Sequence, residues 1–376
     1  MNIYLELFAN KECSAIESNK SFQRLSEKTQ VLVPEIGRDE VTRSRITHSY
    51  EVVTSATEMA ANVAQNLGLN KISDIDYKQT LKQACLLHDI GHPPFGHDGA
   101  GIINDFFIDH GLQEGFSDNN NNYKVIDKNS IAVRDDVLVD ILKYPDKLYD
   151  DQKYLIGILE KSINDDIKHM KTLGVNYNGA KHTITCQIMD EADENSYSTS
   201  DIVDYLCLGG KLDRNMIDAI GYTPKGEAKK YYDMFTNSAE SGNNDYVRKV
   251  MNHIKSVFNS NYELGVDGII PIDKDIHDFK KLLKATTLRY YIKPVRTEEF
   301  HLGNVSKLNK FMNMVVNEGL ITSNRYGKMM LESTSPTEKL KIQRDMIAEA
   351  SDWFIIKEKY LNYINNKPIK RMRHTI

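Results

Sequence analysis

The sequence predicts an all-α protein. Apolar residues recur at three- and four-residue steps over much of the chain of 376 residues, which is the spacing of helices with one buried face. Alternation of apolar and polar residues nowhere runs long enough to build a sheet, and the segment Val31–Ile36 would form a small hairpin at most. Hydrophobic residues make up 40% of the chain and charged residues 27%, which is the balance of an ordinary globular protein.

The composition also excludes several classes of protein. A net charge of −5 argues against a nucleic-acid-binding surface along the whole chain, although it permits a local basic patch. The sequence has no basic N-terminal region followed by an apolar run and no uncharged apolar window of about eighteen residues, so neither a secretion signal nor a membrane span is expected. The cysteines are widely spaced without a CxxC pair, which fits the reduced cytoplasm better than a disulfide framework: Cys13, Cys85, Cys186 and Cys207.

The first predicted elements are a short helical lead-in over residues 1–30 and, after Pro34 and Gly37, a second helix. The second helix shows an apolar face made by Val52, Ala56, Met59, Val63 and Leu67. His48 lies in its first turn, and Arg45 precedes His48 by three residues, so both share one side of the helix. An arginine beside a candidate metal ligand suits a phosphate substrate, because its guanidinium fork binds the remaining oxygens. A solvated surface charge is the alternative interpretation of Arg45.

The chain is organised around the stretch Leu81–Asp98, LKQACLLHDIGHPPFGHD. Its first part has the pattern of a buried helix, and Gly91 with two prolines then stops that helix. The ligand candidates at this point are His88, Asp89, His92 and His97. The first two are predicted in the last turn of the helix and the last two on the loop that leaves it. A lone histidine there would usually be structural, but imidazoles and a carboxylate together predict a divalent-metal site.

The next segments are predicted from weaker signals. Residues 102–107 continue as a helix, and four asparagines, Asn119–Asn122, follow in a polar segment. These asparagines are interpreted either as a linker or as caps that open a helix. Residues 127–180 alternate short helical runs with charged loops. Lys143 ends one run just before Pro145, which is also a common place for an ordinary surface lysine.

A second constellation lies in the segment Cys186–Gly209, which has the apolar pattern of a buried helix. Asp193, Tyr197 and Asp201 are spaced by four residues and therefore form one stripe on that helix. Burying carboxylates without a cation is costly, so the stripe implies a metal or a positively charged partner. Asp193 would complete a ligand set with three earlier residues, namely His48, His88 and Asp89. Two nitrogen and two oxygen ligands suit Mn, Fe, Mg or Zn, and this ligand set does not select one of them.

The C-terminal part of the chain, from about residue 210, keeps the helical pattern with a break at Ser238–Asn244. It contains two basic runs. One includes Lys280, Lys281, Lys284, Arg289, Lys293 and Arg296, and the other is the tail with Lys367, Lys370, Arg371, Arg373 and His374. A charge run of this kind is usually a solvated helix face, and a terminal run is usually frayed.

Several blocks of the sequence, in order, resemble the HD superfamily of metal-dependent phosphohydrolases, and more closely its deoxyguanosine triphosphate triphosphohydrolases and related deoxynucleoside triphosphate (dNTP) hydrolases. The blocks are RLSEKTQV (Arg24–Val31), RSRITHSYEV (Arg43–Val52), HDIGHPPFGHDG (His88–Gly99), FSDNNNN (Phe116–Asn122), KYP (Lys143–Pro145) and ADENSYSTSD (Ala192–Asp201). HD alone is a weak signal, whereas HDIGHPPFGH with its flanking blocks is specific. The resemblance implies a helical HD-domain fold with an additional C-terminal helical region.

The family's functional positions can be carried over one by one. The resemblance implies that the metal ligands are His48, His88, Asp89 and Asp193, and that the metal is a divalent ion such as Mg or Mn, with Fe, Co or Zn as alternatives. It implies that His97 is the catalytic histidine near the α-phosphate and that His92 is a pocket histidine. It further implies phosphate contacts by Arg45 and Lys143, deoxyribose contacts by Tyr197 and Asp201, a sugar or base contact by Gln30, and that Asn119 is the asparagine of the family's FEGNAQ-like block.

The sequence departs from the family at one functional position. Ala100 stands where the relatives usually have a glutamate that partners the catalytic histidine in proton transfer. An alanine side chain can neither orient an imidazole nor exchange a proton with it. The FEGNAQ-like block is also altered, to FSDNNNN.

The predicted function is metal-dependent hydrolysis of dNTPs, either dGTP or several of them, to the deoxynucleoside and tripolyphosphate. Two alternatives remain open: another nucleotide phosphohydrolase of the HD type, and a catalytically weak dNTP-binding sensor in which Ala100 has replaced the acid. The predicted organisation is an HD core with its lead-in over residues 1–210 and a helical region over residues 211–376 that completes the pocket and forms an oligomer interface. The resemblance also implies a cytoplasmic homo-oligomer, often a hexamer among relatives, and single-stranded DNA binding as in some relatives.

Overall fold

The computed structural model describes residues 11–31, 43–68 and 75–361, without the side chains of residues 75–78, 299 and 300. The described residues are mostly helical, and their one sheet is a two-stranded hairpin. The predicted all-α class is therefore confirmed. Within these residues, no helix is both long and apolar enough to cross a membrane.

Helices fill the first half of the described chain. In chain order they are α1 (Lys11–Ser18), α2 (Lys20–Gln23), α3 (Arg45–Asn66), α4 (Ile75–Leu87), α5 (Gly96–Asp109), α6 (Asp118–Lys128), α7 (Asp135–Asp140), α8 (Leu155–Thr172) and α9 (Ile184–Cys207). Short 3-10 turns lie at Arg24–Glu27, Pro145–Lys147 and Asp150–Gln152.

The second half contains further helices and the hairpin. In chain order these are α10 (Arg214–Asp218), α11 (Ala228–Glu240), α12 (Asn244–Ser260), β1 (Tyr262–Gly265), β2 (Gly268–Pro271), α13 (Lys274–Thr287), α14 (Lys293–Arg296), α15 (Glu299–Val316), α16 (Asn324–Glu332), α17 (Pro336–Ala348) and α18 (Asp352–Ile356). One π-helical turn, Leu288–Ile292, joins α13 to α14.

The described residues form two compact units. The first unit comprises residues 11–18, 47–68, 75–88 and 132–295, and the second comprises residues 19–31, 43–46, 89–131 and 296–361. The division therefore falls between two neighbouring residues of the central stretch, His88 and Asp89. The predicted organisation into residues 1–210 and 211–376 stays a prediction.

The first unit is built on an apolar core between α9, α11, α12 and α13. On α12 the core residues Val247, Val250, Met251, Ile254 and Phe258 follow one another at helical spacing, and all are buried. α12 begins after the predicted break because Asn243 accepts a hydrogen bond from the backbone N–H of Tyr246 at 3.0 Å. Burial of this face holds α12 against its neighbours.

The hairpin of the first unit was not predicted from the sequence. Tyr262 pairs with Pro271 and Gly265 with Gly268 in antiparallel register, so only Val266 and Asp267 form the loop. An Asp-Gly pair between short apolar runs is a recognised hairpin signal. The predicted small hairpin at Val31–Ile36 lies almost wholly outside the described residues, as do part of the lead-in and the basic tail.

The second unit has a core of its own, formed by α5 with α15, α17 and α18. Phe107 on α5 and Phe311 on α15 are fully buried in it. The loop before α5 is fixed by buried polar groups, because the Asp352 carboxylate accepts the backbone N–H of Phe95 at 2.9 Å. Phe95 itself has a left-handed backbone with φ of 60°, a conformation that needs such support.

The structure refines three local predictions. α4 ends at Leu87, so His88 and Asp89 follow the helix instead of forming its last turn, although the N–H of His88 still bonds to Ala84 O at 2.9 Å. His97 lies in the first turn of α5 and not on the loop. The asparagine run lies inside α6, whose cap is Ser117. The interpretations of the asparagines as a linker and as helix caps are therefore both wrong.

Two of these asparagines fix the backbone of the central stretch at Gly91. The Asn122 side-chain oxygen accepts the backbone N–H of Gly91, and the Asn121 side chain donates to Gly91 O, each at 2.7 Å. A Cβ atom at Gly91 would overlap the backbone of both asparagines. Glycine is thus required here by the close approach of α6.

Gly99 and Gly101 on α5 give a matched test of this packing. A Cβ at Gly99 would overlap Pro94 O, whereas a Cβ at Gly101 would meet nothing within 4 Å. Gly99→Ala should lower the free energy of unfolding by roughly 1–3 kcal/mol. Gly101→Ala should raise it by roughly 0.5–1 kcal/mol, since alanine favours helix. Chemical unfolding of both full-length variants measures this, and equal midpoints would contradict the close packing at Gly99.

Candidate active site

A cluster of two imidazoles and one carboxylate lies buried in the first unit. α3 supplies His48, the residue after α4 is His88, and α9 supplies Asp193. One oxygen of Asp193, Oδ1, lies 2.9 Å from His48 Nε2 and 3.8 Å from His88 Nε2. The His side chains are 1% exposed and the Asp side chain 14%. Three of the four predicted metal ligands thus meet within this unit.

The hydrogen bond of His88 to the backbone determines which of its ring nitrogens can bind a cation. His88 Nδ1 lies 2.7 Å from the carbonyl oxygen of Cys85, and since a carbonyl can only accept, Nδ1 carries the proton. In neutral His88 the other nitrogen, Nε2, then presents a lone pair toward the carboxylate of Asp193. A lone pair facing an anion is repulsive unless a cation lies between them. An N–H bonded to a backbone carbonyl is also how proteins orient a metal-binding histidine.

α9 is positioned by buried polar contacts at its start. The side-chain oxygen of Thr183 accepts the N–H of Cys186 at 3.0 Å and so caps the helix. The same hydroxyl donates to Asp140 at 2.6 Å. Burial raises the pKa of Asp140 well above its ordinary value, even though this hydrogen bond opposes the rise. The start of α9 is therefore fixed to the end of α7, which fixes where Asp193 lies.

Lys143 is the cation nearest to Asp193 in this unit. Its ammonium lies 2.8 Å from Asp193 Oδ2 and 2.8 Å from Asp190 Oδ1. Burial would lower the pKa of Lys143, but the two carboxylates raise it well above its ordinary value. Burial likewise opposes ionisation of Asp193, yet the positive charge of Lys143 and the hydrogen bond from His48 hold the pKa of that carboxyl below its usual range. Lys143 is therefore not an ordinary surface lysine.

Tyr197 and Asp201 continue the predicted stripe on α9. Asp201 is 5% exposed. Tyr197 OH donates to Glu194 Oε1 at 3.4 Å, and the Lys284 ammonium lies 5.3 Å from the centre of the Tyr197 ring. Burial, followed by the negative charge of Glu194, raises the pKa of the Tyr197 hydroxyl. The ring is thus a neutral, half-buried surface with a cation at its face.

The expected solvated face around Lys280 is wrong for that residue, which is 1% exposed. Its ammonium lies 2.7 Å from Glu191 Oε2 and 2.6 Å from Glu194 Oε2, and it donates to Tyr262 OH at 2.6 Å. Burial alone would raise the pKa of Glu194, but Lys280 and Lys284 lower it to about 2. Lysines of α13 therefore neutralise the acidic residues that flank Asp193 on α9.

The second unit holds the other predicted site residues. Arg45 Nη1 donates to Asp89 Oδ2 at 2.6 Å, and Arg45 Nη2 lies 3.4 Å from Gln30 O. Arg45 is 2% exposed, so the surface-charge interpretation is wrong. Asn119 lies in the first turn of α6, half-buried.

His92 and His97 also lie in the second unit, and the carboxylate of Asp118 lies beside both. Asp118 Oδ2 is 3.5 Å from His97 Nδ1 and 3.7 Å from His92 Nε2. The sequence analysis did not single out Asp118. The signal that could have found it is its place as the first residue after a serine cap, where acidic residues are common.

Comparison with known proteins places these residues in a family context. A family model described as the HD domain matches residues 45–194. A deoxyguanosinetriphosphate triphosphohydrolase-like protein of Bifidobacterium longum is 24% identical over 387 residues, which cover 89% of this chain and 78% of that protein. A protein of the same description from Shewanella oneidensis is 34% identical over 142 residues, covering 36% of this chain and 31% of its own. These matches confirm the resemblance drawn from the motifs.

Other matches are partial or remote. A deoxyguanosinetriphosphate triphosphohydrolase-like protein 2 of Deinococcus radiodurans is 28% identical over 247 residues, and the match spans 56% of this chain and 55% of that protein. The chain thus spans about half the length of this relative and a third of the Shewanella protein. Among solved structures, a hypothetical protein from Aquifex aeolicus is 16% identical, with 93% of this chain and 68% of that one covered, at a TM-score of 0.39.

The neighbouring residues Lys280 and Lys281 test the charge pairing at α9. Lys280→Met should lower the free energy of unfolding by about 2 kcal/mol, because it leaves half-buried Glu191 without its cation and Glu194 with Lys284 alone. Lys281, whose side chain is 59% exposed and pairs with Asp278 on its own helix, is the control. Lys281→Met should change the free energy of unfolding by less than about 0.5 kcal/mol. Chemical unfolding measures both, and equal effects would show that the Lys280 pairs contribute nothing specific.

Proposed function

Because residues 45–194 match the HD domain family model, we propose that the chain is a metal-dependent phosphohydrolase that acts on deoxynucleoside triphosphates. The products are the deoxynucleoside and tripolyphosphate. The observation that carries the proposal is the buried cluster of His48, His88 and Asp193, in which His88 Nε2 faces a carboxylate oxygen at 3.8 Å. The description of the Bifidobacterium and Shewanella relatives supports the choice of substrate class.

The proposed metal ligands are His48, His88 and Asp193, with Asp89 as the fourth because it directly follows His88 in the chain. A divalent ion held by this set supplies Lewis acidity at a phosphate oxygen and a more acidic water. Mg and Mn are the proposed ions, and Fe, Co and Zn accept the same donors. Asp193 is suited to this role because its charge is maintained at neutral pH by the surrounding cations.

Lys143 and Arg45 are proposed to bind phosphate oxygens. Arg45 is buried and Lys143 is half-buried, and each is already paired with a carboxylate, Lys143 with Asp193 and Arg45 with Asp89. Such pairing fixes the position of each cation before substrate arrives, and fixed cations stabilise the charge that develops during phosphate transfer. Arg45 adds a planar fork that suits two oxygens at once.

Tyr197 and Asp201 are proposed to contact the deoxyribose, with Gln30 and Asn119 near the sugar or base. The half-buried Tyr197 ring, held by Glu194 and Lys284, gives a rigid surface on which a sugar can pack. A 2′-hydroxyl would clash with such a surface, which would exclude ribonucleotides. His97 is proposed as the group that exchanges the proton with the reacting water or leaving oxygen, with His92 beside it.

A product assay tests the proposed reaction. Purified protein is incubated with each of the four dNTPs and with GTP, in Mg, Mn or Co, and products are separated by ion-exchange chromatography. The expected result is deoxynucleoside with intact tripolyphosphate from at least one dNTP, and no product from GTP. Release of orthophosphate would instead indicate another HD-type phosphohydrolase. Tight dNTP binding without product would indicate a sensor.

Asp193 and Asp190 on α9 provide a matched test of the metal site. Both contact Lys143 at 2.8 Å, but only Asp193 approaches the histidines, and the Asp190 side chain is 59% exposed. Asp193→Asn should abolish tight metal binding and lower kcat by at least about a hundredfold. Asp190→Asn should retain the metal and most of the activity.

Metal content after dialysis is measured by mass spectrometry, with thermal unfolding as a check that both variants are folded. If Asp193→Asn retains wild-type metal content and turnover, the assignment of this cluster as the metal site is wrong.

A further inference from the structure

Two histidines of the second unit share one carboxylate. Asp118 Oδ2 lies 3.5 Å from His97 Nδ1 and 3.7 Å from His92 Nε2. The two rings meet edge to face, with centroids 5.1 Å apart. Their exposure differs sharply, because the His97 side chain is 76% exposed and the His92 side chain only 2%. Only His97 can therefore exchange protons readily with solvent or a ligand.

The carboxylate of Asp118 is oriented by its own helix. Its other oxygen, Oδ1, accepts the backbone N–H of Asn119 at 2.9 Å and the side-chain amide of Asn119 at 3.0 Å. The helix α6 is capped just before it, where the Ser117 hydroxyl accepts the N–H of Asn120 at 3.3 Å. With Oδ1 engaged in this way, Oδ2 is the oxygen that faces the imidazoles.

The charges in this group favour His97 as the partner of Asp118. Burial, reinforced by the positive charge of Arg45, lowers the pKa of His92 well below its ordinary value, so His92 is neutral near pH 7. Burial would raise the pKa of Asp118, but the hydrogen bond from His97 holds it below its usual range. The carboxylate is therefore ionised and not neutralised by a His92 cation. A carboxylate beside Nδ1 favours the proton on that nitrogen and leaves Nε2 to act as the base.

The helix that carries His97, α5, has alanine at position 100, where the resemblance leads us to expect a carboxylate that orients His97. Ala100 follows His97 by three residues on α5, so the two lie on one side of that helix. We propose that Asp118 on α6 is the positioning residue for His97 and replaces the carboxylate that Ala100 lacks. This inference rests on the proposed function, because it gives His97 the proton-transfer role in that reaction.

Moving the carboxylate back to α5 tests the proposal. Asp118→Asn should lower kcat for the best dNTP by about a hundredfold while KM changes little, since the loss concerns orientation of a proton-transfer group. The double variant Ala100→Glu/Asp118→Asn should recover at least about tenfold of that loss, because it restores an acid beside His97. Asp109→Asn on the exposed end of α5 is the control and should leave kcat unchanged. Unchanged kcat in Asp118→Asn, or no recovery in the folded double variant, would overturn the proposal.

Two further readouts separate this proposal from others. Metal content is measured for each variant: if Asp118→Asn loses a bound metal ion, Asp118 is a ligand and the positioning role is wrong. Nitrogen NMR of histidine-labelled protein, with the His97 signal assigned by His97→Gln, reports which ring nitrogen carries the proton. Asp118→Asn should shift the His97 signals, and the double variant should move them back. If wild-type protein hydrolyses no dNTP, the proposed function fails. The contact between Asp118 and His97 is then tested by NMR, and the positioning role fails as well if the His97 signals do not respond to Asp118→Asn.

Discussion

The candidate site of the first unit depends on one largely buried carboxylate, that of Asp193. A carboxylate that is almost removed from water is tolerated only where cations or donors compensate its desolvation. Here Lys143 lies at one oxygen and His48 at the other. Because these residues come from separate segments, their convergence on Asp193 specifies how α3, α9 and the loop after α7 pack. The same compensation keeps the carboxylate charged, which is what a metal ligand needs.

Positive side chains also neutralise other carboxylates of α9, which explains how a helix so rich in acidic residues can be buried. Glu191 and Glu194 flank Asp193, and Lys280 pairs with both from α13. Lysine suits this task because its long apolar stem can be buried while its ammonium reaches two carboxylates. Different cations therefore compensate different carboxylates of α9. The lysines of α13 neutralise the flanking glutamates, so that Asp193 is left to the histidines and Lys143.

The sequence predicted best what depends on local spacing. The helical class, the place of His48 in the first turn of α3 and the stripe Asp193, Tyr197 and Asp201 all follow from a period near 3.6 residues. Pairings between distant segments could not be read in this way. The residues around Lys280 give no sign that it contacts Glu191, which lies 89 residues earlier in the chain. The basic run that begins at Lys280 was therefore predicted to be a solvated helix face. The hairpin at residues 262–271 was missed for another reason: its strands are four residues each, too short to show alternation.

Position 100 shows that the carboxylate that orients a catalytic histidine can come from a different helix. A carboxylate that orients an imidazole must lie near one of its ring nitrogens, but it need not come from the same helix. On α5 that place holds a methyl group, while the first turn of α6 brings Asp118 Oδ2 within 3.5 Å of His97. Asp118 is held there by Asn119, a neighbour in its own helix, and the following asparagines hold the central loop at Gly91. The start of α6 thus both supports the central loop at Gly91 and, in the proposed arrangement, supplies the carboxylate that faces His97.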